Sequence, residues 1–144
     1  MLNISKLADW LKEQTEWQET PFPLTDANYI RMVSDGIERL FVDTGRSTQY
    51  DEEKYITVTT PDGEYYGYDA TFPLDEKRYI QICSQMNFFS KVQSDVNNTV
   101  GYSTDALTVT NADKPYANLK DTLDKLDNER RIIYYKMVRY TLGQ

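Results

Sequence analysis

The feature that most constrains the fold is a heptad pattern near the end of the chain. Seven positions follow one another in alternating steps of four and three residues: Leu119, Leu123, Leu126, Arg130, Ile133, Met137 and Tyr140. This period predicts a helix with one continuous apolar stripe, interrupted by a single charge. Start signals at Asp113 and Pro115 predict that the helix begins there and extends toward Leu142. A helix of this length outlasts the core of a small domain, so we expect one end to project toward a partner.

Two helices are predicted in the first third of the chain. Apolar residues at helical spacing mark the first within residues 1–20, and the prolines of PFPL at 21–24 end it because they lack backbone N–H donors. The second begins after Thr25, a good N-cap residue, and ends near Thr44. Gly45 follows in the position where a left-handed residue commonly stops a helix.

A third helix is predicted in the middle of the chain. It opens at Leu74 and Asp75 and extends to about Val96. Apolar side chains lie nearly all around it, so we expect this helix to be internal.

Two segments have strand character. In residues 55–68, β-branched and aromatic residues flank Pro61–Gly63, which predicts a β-hairpin. In residues 97–112, Leu107 and Val109 alternate with threonines, which predicts a short extended segment or small hairpin. Such a segment is marginal alone, so we expect it to pair with the first hairpin or with another subunit.

The predicted fold is therefore mainly α, an α-helical bundle of about four helices with one β-hairpin and one short extended or β segment. A length of 144 residues fits a single domain over 1–144. Within it, the N-terminal helix occupies residues 1–20, and the helical core occupies residues 25–142 with the hairpin of residues 55–68 inserted.

Composition limits the partners. The chain has 23 acidic and 16 basic residues, a net charge of −7, which opposes recognition of nucleic acid through its phosphates. No apolar run approaches the roughly 20 residues that span a bilayer, and the first residues lack the apolar core of a signal peptide. We therefore expect no membrane contact and a cytoplasm-like setting or a particle assembled there.

Composition also limits the chemistry. The chain has no histidine and one cysteine, Cys83, which excludes zinc sites and Ser-His or Cys-His nucleophilic systems. The paired carboxylates of a glycosidase have candidates in Asp51–Glu53 and Asp75–Glu76, but a polar loop and the first turn of a helix account for both. We expect no catalytic activity, no cofactor and no metal.

The segment LFVDTGRST, Leu40–Thr48, contains the Asp-Thr-Gly triplet of retroviral-type aspartic proteases. Such an enzyme is a dimer and needs Asp43 at the end of a strand, beside a second aspartate with which it shares a proton. Here the apolar period before Asp43 is helical, and Arg46 places a charge where the protease turn is tight. We therefore interpret Asp43 as part of a helix terminus, where Asp43→Asn is expected to cost under about 1 kcal/mol.

The tyrosines and the basic residues of the last helix can each be interpreted in two ways. Tyrosines in the predicted hairpin and last helix suit either an interface or ordinary half-buried packing. Arg130, Arg131, Lys136 and Arg139 make the last helix locally basic, either as a docking face for an acidic partner or as a match to the helix dipole.

Two motifs resemble the head-tail adaptor (connector) proteins of long-tailed bacteriophages. A helix ending in Thr-Gly-Arg is similar to IERLFVDTGR, Ile37–Arg46, and the extended run of these proteins is similar to Ser103–Thr110. The resemblance covers residues 25–46 and 75–142. Thr104 departs from it, standing where the family tends to have glycine, and the hairpin and first helix look like additions.

This resemblance implies a structural virion protein in the neck, assembled in the host cytoplasm. The family forms rings, usually of twelve subunits, that sit under the portal, precede a stopper or tail-completion protein, and let DNA pass through the centre. For such an adaptor we expect subunit contacts at Tyr102, Leu107 and Val109. We expect portal contacts at Tyr134, Met137, Tyr140 and Leu142.

Two alternatives differ in class. One is a small acidic regulatory module that binds a single protein partner, and charge reversal of Asp51, Glu52 and Glu53 would abolish that binding. The other is the dimeric aspartic protease, which would lose all activity on replacement of Asp43 by Asn.

Overall fold

The computed structural model describes residues 3–45, 47–49, 57–60, 63–65, 74–100 and 116–142. Its helices are α1 (Ile4–Gln14), α2 (Asp26–Thr44), α3 (Leu74–Val100) and α4 (Leu119–Leu142). The predicted fold class, mainly helical with about four helices, is confirmed for the described residues. None of these helices is apolar enough over a sufficient length to cross a membrane.

The ends of α1 and α2 follow from their capping residues. The Asn3 side chain accepts a hydrogen bond from the Lys6 backbone N–H, which satisfies a free donor at the start of α1. Thr25 caps α2 through a reciprocal capping box with Asn28, as its position predicts. Gly45 has φ 72°, and its N–H donates to the carbonyl of Phe41 over 2.8 Å. The predicted helix stop at Gly45 is confirmed.

Helix α3 is the central element. It packs against α1, α2 and α4, and its buried side chains point to several sides, which confirms that the helix is internal. The helix extends to Val100, so the predicted interruption from residue 97 begins too early. Leu74, at its start, remains 75% exposed.

Helices α2 and α3 approach closely at Gly36. A Cβ atom there would lie 2.8 Å from the Ser84 hydroxyl and 3.1 Å from the Ile80 carbonyl oxygen. The absence of a Cβ atom at Gly36 thus permits this close approach, although glycine weakens a helix relative to alanine. One turn before Gly36 on α2, the carbonyl of Met32 accepts a hydrogen bond of 2.9 Å from the Asn87 amide of α3. This bond ties the same two helices together.

Helix α4 begins at Leu119, later than the predicted start near Asp113, because Tyr116–Asn118 form a turn. The heptad stripe faces the core as predicted: Leu119, Leu126 and Met137 are buried, and Leu123 and Ile133 pack against the same core. The hydrophobic core thus includes side chains from all four helices.

The described strands form one antiparallel sheet in the order β1 (Ser47–Gln49), β2 (Thr57–Thr60), β3 (Gly63–Tyr65). Ser47 is opposite Thr59, and Val58 is opposite Tyr65. Strands β2 and β3 lie within the segment predicted as a hairpin, whereas β1 was not predicted. The residues that connect β2 to β3 and the predicted extended run after Val100 lie outside the described residues.

Candidate functional site

Four polar side chains from three helices meet near one end of the bundle. We call them the polar cluster: Asp43, Tyr79, Asp127 and Arg130. Asp43 lies in the last turn of α2, which Gly45 ends, and Tyr79 lies in the second turn of α3. Asp127 and Arg130 are one turn apart on α4 and therefore lie on the same side of that helix.

The Asp43 carboxylate accepts hydrogen bonds from two side chains and lies close to a third. The Tyr79 hydroxyl donates to its carboxylate, and Arg39 Nε donates to the same oxygen over 3.2 Å. Arg130 Nη1 donates to the Tyr79 oxygen over 3.1 Å and lies 3.6 Å from the Asp43 carboxylate. Tyr79 is fully buried and the Arg130 side chain is only 14% exposed, so these contacts occur largely out of water.

Asp127 is shared between two guanidinium groups. One carboxylate oxygen accepts from Arg130 Nε over 3.0 Å, and the other lies 3.0 Å from Arg131 Nη2. Asp127 is therefore an acidic partner of both arginines, and Arg130 has Asp43 as a second one.

The protonation of the cluster follows from burial and bonding. Burial, and then the hydrogen bond to Asp43, raise the pKa of Tyr79 above its usual value. Burial alone would lower the pKa of Arg130, but hydrogen bonds to Tyr79 and Asp127 outweigh this and raise it. Cys83, one turn after Tyr79 on α3, is fully buried, and burial raises its pKa to about 12. The Cys83 thiol is therefore protonated at neutral pH and unreactive.

This arrangement joins helices rather than forming an aspartic dyad. The Asp43 carboxylate contacts a phenol and two guanidinium groups, whereas a dyad requires a second carboxyl group that shares one proton. Asp43 also lies in a helix rather than after a strand. The helix-terminus interpretation of Asp43 is thus correct, but Asp43 has partners that the sequence did not reveal. Among the described residues, no group of three or more His, Cys, Asp or Glu is placed to hold a metal ion.

Arg130 carried a signal that the sequence interpretation passed over. It interrupts the heptad stripe of α4, and a charge at a core position must be paired with other groups. That requirement predicts polar partners on the neighbouring helices, which are Asp43 and Tyr79.

The same end of the bundle carries most of the large exposed apolar side chains described. The polar cluster and the ion pair of Arg78 with Glu129, 2.9 Å long, bring the end of α2, the start of α3 and the middle of α4 to one level. The side chains that we call the exposed apolar group are Phe41, Val42, Leu74, Ile132 and Tyr135, all more than half exposed. Trp17 and Phe22, also exposed, lie in the connection between α1 and α2.

The residues predicted as portal contacts have different surroundings. Tyr134 is half-buried, packs against the core and meets the Tyr135 ring edge to face at 5.5 Å. Met137 is 1% exposed, so its predicted place on a contact surface is wrong: it fills the core. Tyr135, next to Tyr134 on α4, is 66% exposed.

The other predicted contacts lie outside what the structure describes. This applies to the side chains of Tyr140 and Leu142 and to the subunit contacts Tyr102, Leu107 and Val109. Comparison of the chain with protein-family models, with curated proteins and with solved structures finds no match. Its function must therefore be inferred from its own residues.

Proposed function

We propose that the protein is a non-enzymatic structural protein of a bacteriophage virion, a head-tail adaptor. In this proposal twelve copies form a ring beneath the portal, in the neck of the particle. The ring joins the capsid to the tail, receives a stopper or tail-completion protein, and lets DNA pass through its centre.

The observation that carries the proposal is the exposed apolar group. Five large apolar side chains at one end of a small bundle are more than half exposed: Phe41, Val42, Leu74, Ile132 and Tyr135. Exposed apolar side chains concentrated at one end of a small protein mark contacts with other proteins. An assembly protein needs such exposed apolar side chains for its contacts with neighbouring proteins.

The polar cluster supports a structural role. Asp43, Tyr79 and Arg130 bond to one another across α2, α3 and α4. Because these bonds fix three helix segments at one level, they hold the exposed apolar group on a rigid base. The helix that ends at Gly45 is also the element in which the sequence resembles the phage adaptors.

Net charge is compatible with passage of DNA. A chain with a net charge of −7 repels phosphate, so a lumen lined by such subunits lets a duplex slide without binding it. We place the portal contact at the last turn of α4, which contains Tyr140 and Leu142. Met137 is removed from the portal contact because it is buried in the subunit.

Portal binding tests the proposal. Purified protein mixed with the portal of its phage should give a complex in native mass spectrometry, and Leu142→Asp should weaken that complex at least about tenfold. A matched control is Phe22→Asp, which places the same charge on an exposed residue of the α1–α2 connection and should bind like the wild type. A wild-type protein that does not bind its portal would rule out the adaptor function.

A further inference from the structure

The outer face of α4 changes character halfway along the helix. Arg131, Ile132, Tyr135 and Lys136 are exposed and lie within an arc of about 140°, so they form one surface. Earlier on the same side, Asp124, Lys125 and Asn128 are polar and exposed. The second half of α4 therefore presents a surface that is both apolar and basic, which we call the α4 face: Arg131, Ile132, Tyr135 and Lys136.

The basic residues of the α4 face are only partly neutralised. Arg131 pairs with Asp127, which Arg130 also contacts, and Arg130 in turn lies 3.6 Å from the Asp43 carboxylate. Lys136 is exposed and has no ion-pair partner in the described part of the chain. Residues 128–142 contain four basic residues and one acidic residue, a net charge of +3 in an otherwise acidic protein.

Helix α2 presents the complementary surface. Asp35, Glu38, Phe41 and Val42 are exposed and lie within an arc of about 120°, and we call them the α2 face. Neither Asp35 nor Glu38 has an ion-pair partner among the described residues. Arg31, one turn before Asp35, limits the acidic surface to the second half of α2.

We propose that the α2 face of one copy binds the α4 face of a second copy. Acidic side chains would meet basic ones, and Phe41 and Val42 would pack on Ile132 and Tyr135, so that both charge and apolar surface are matched. The inference rests on the proposed assembly function, because it names the neighbouring subunit as the occupant of the exposed apolar group.

The placement of the two faces determines the kind of assembly. Helix α3 packs extensively on both α2 and α4, while α2 and α4 touch each other little, so the two faces belong to helices on different sides of α3. A contact between two different surfaces is heterologous, and each copy keeps one free surface of each kind. Repetition of that contact gives a closed ring or an open filament rather than a two-fold dimer.

A charge exchange tests the pairing. Glu38→Lys and Lys136→Glu should each weaken self-association about tenfold in sedimentation equilibrium, because like charges would then face each other. The double variant should recover most of the lost affinity. The matched controls Asp9→Lys and Lys6→Glu change exposed residues of α1 and should associate like the wild type.

Cross-linking tests the heterologous geometry. The buried Cys83 is the only native cysteine, so a cysteine introduced at Phe41 or at Tyr135 is the reactive thiol. A short bismaleimide should join Phe41→Cys to Tyr135→Cys when the two variants are mixed, and should join neither variant to itself. Cross-links within each variant alone would indicate a two-fold contact and overturn the proposal.

Two further results would overturn it: a wild type that is monomeric at every concentration, or a double charge variant that stays as weak as the single ones. Both leave portal binding untouched. They therefore remove this subunit contact without removing the adaptor function.

Discussion

A guanidinium group that is only 14% exposed requires partners, and Arg130 has them on three helices. Tyr79 of α3, Asp127 of α4 and Asp43 of α2 all lie within 3.6 Å of it. Loss of one partner of a buried charge costs more than the net value of the pair, because the remaining charge stays out of water. At the scale of single residues, stability should therefore depend strongly on the polar cluster.

Replacement of Asp43 by Asn tests this dependence. The substitution removes the negative charge that faces Arg39 and Arg130, so we expect the free energy of unfolding to fall by about 2 kcal/mol in urea titrations. This exceeds the value under about 1 kcal/mol that a simple helix end predicts. The exposed Asp9→Asn on α1 is the matched control and should change stability by less than about 0.5 kcal/mol. Equal effects of the two substitutions would show that the cluster contributes little.

Cys83 gives a pH dependence with a definite sign. Its pKa is 9.0 ordinarily and about 12 in the folded chain, because burial disfavours the thiolate. The Cys83 thiol loses its proton at a lower pH in the unfolded chain than in the folded one. Its contribution to the free energy of unfolding is therefore fully present below about pH 9. Above that, the free energy of unfolding falls by about 1.4 kcal/mol per pH unit as pH rises toward 12. Tyr79, whose pKa is also raised, adds to the loss above its ordinary value of 10.0.

Urea unfolding at about pH 8 and about pH 10.5 measures this dependence. The Cys83→Ala variant should lose less stability between the two values than the wild type does. A wild type whose stability is unchanged between them would contradict the burial of both groups.

At the scale of elements, the heptad pattern of α4 gives this helix the side that it buries in the core. Its buried stripe packs against α3, and Met137 lies in the core at 1% exposure. We expect Met137→Ala to lower the free energy of unfolding by about 2 to 4 kcal/mol, since it removes buried atoms and leaves a cavity.

The control for Met137 lies half a turn earlier on the same helix. Tyr135→Ala truncates a side chain that is 66% exposed and should change stability by less than about 0.5 kcal/mol. Thermal unfolding followed by circular dichroism compares the two variants. A Met137→Ala variant as stable as the wild type would contradict the burial of Met137 and favour its predicted role as a portal contact.

The helices of this chain could be predicted from sequence because their signals are local. Apolar period and capping residues such as Thr25 and Gly45 give the bounds of α2 without any knowledge of the neighbouring helices. The turn at Tyr116–Asn118 and the strand at Ser47–Gln49 depend on packing and pairing beyond the local pattern, so they were missed.

The candidate site depends on pairs of residues far apart in sequence. Asp43 and Tyr79 are 36 positions apart, and no local pattern shows that they meet. Two signals were nevertheless present: a charge at the heptad position of Arg130, and a glycine inside α2 at Gly36 that marks a close helix contact. For Met137, the heptad spacing correctly indicated core, and its assignment to a partner surface ignored that spacing.

At the scale of the whole molecule, charge is unevenly distributed along the chain. Residues 1–45 contain eight acidic and four basic residues, a net charge of −4, whereas residues 128–142 have a net charge of +3. In the proposed contact, the acidic surface of one copy meets the basic surface of the next, head to tail. The proposed ring is the closed form of that association.

We propose the predicted extended run, residues 97–112, as a second subunit contact. Under this proposal, Leu107→Asp should block assembly of the ring without unfolding the subunit, because it would place a charge in the contact between neighbouring copies. Sedimentation velocity measures the assembly, and helical circular dichroism measures the fold. Loss of the helical signal would instead place Leu107 in the core of the subunit.

Electron microscopy of the protein mixed with the portal of its phage tests the adaptor function most directly. We predict a closed ring of twelve copies of this chain, seated on the portal and enclosing an open channel. Portal particles that carry no added density, in the presence of excess folded protein, would contradict the assembly function.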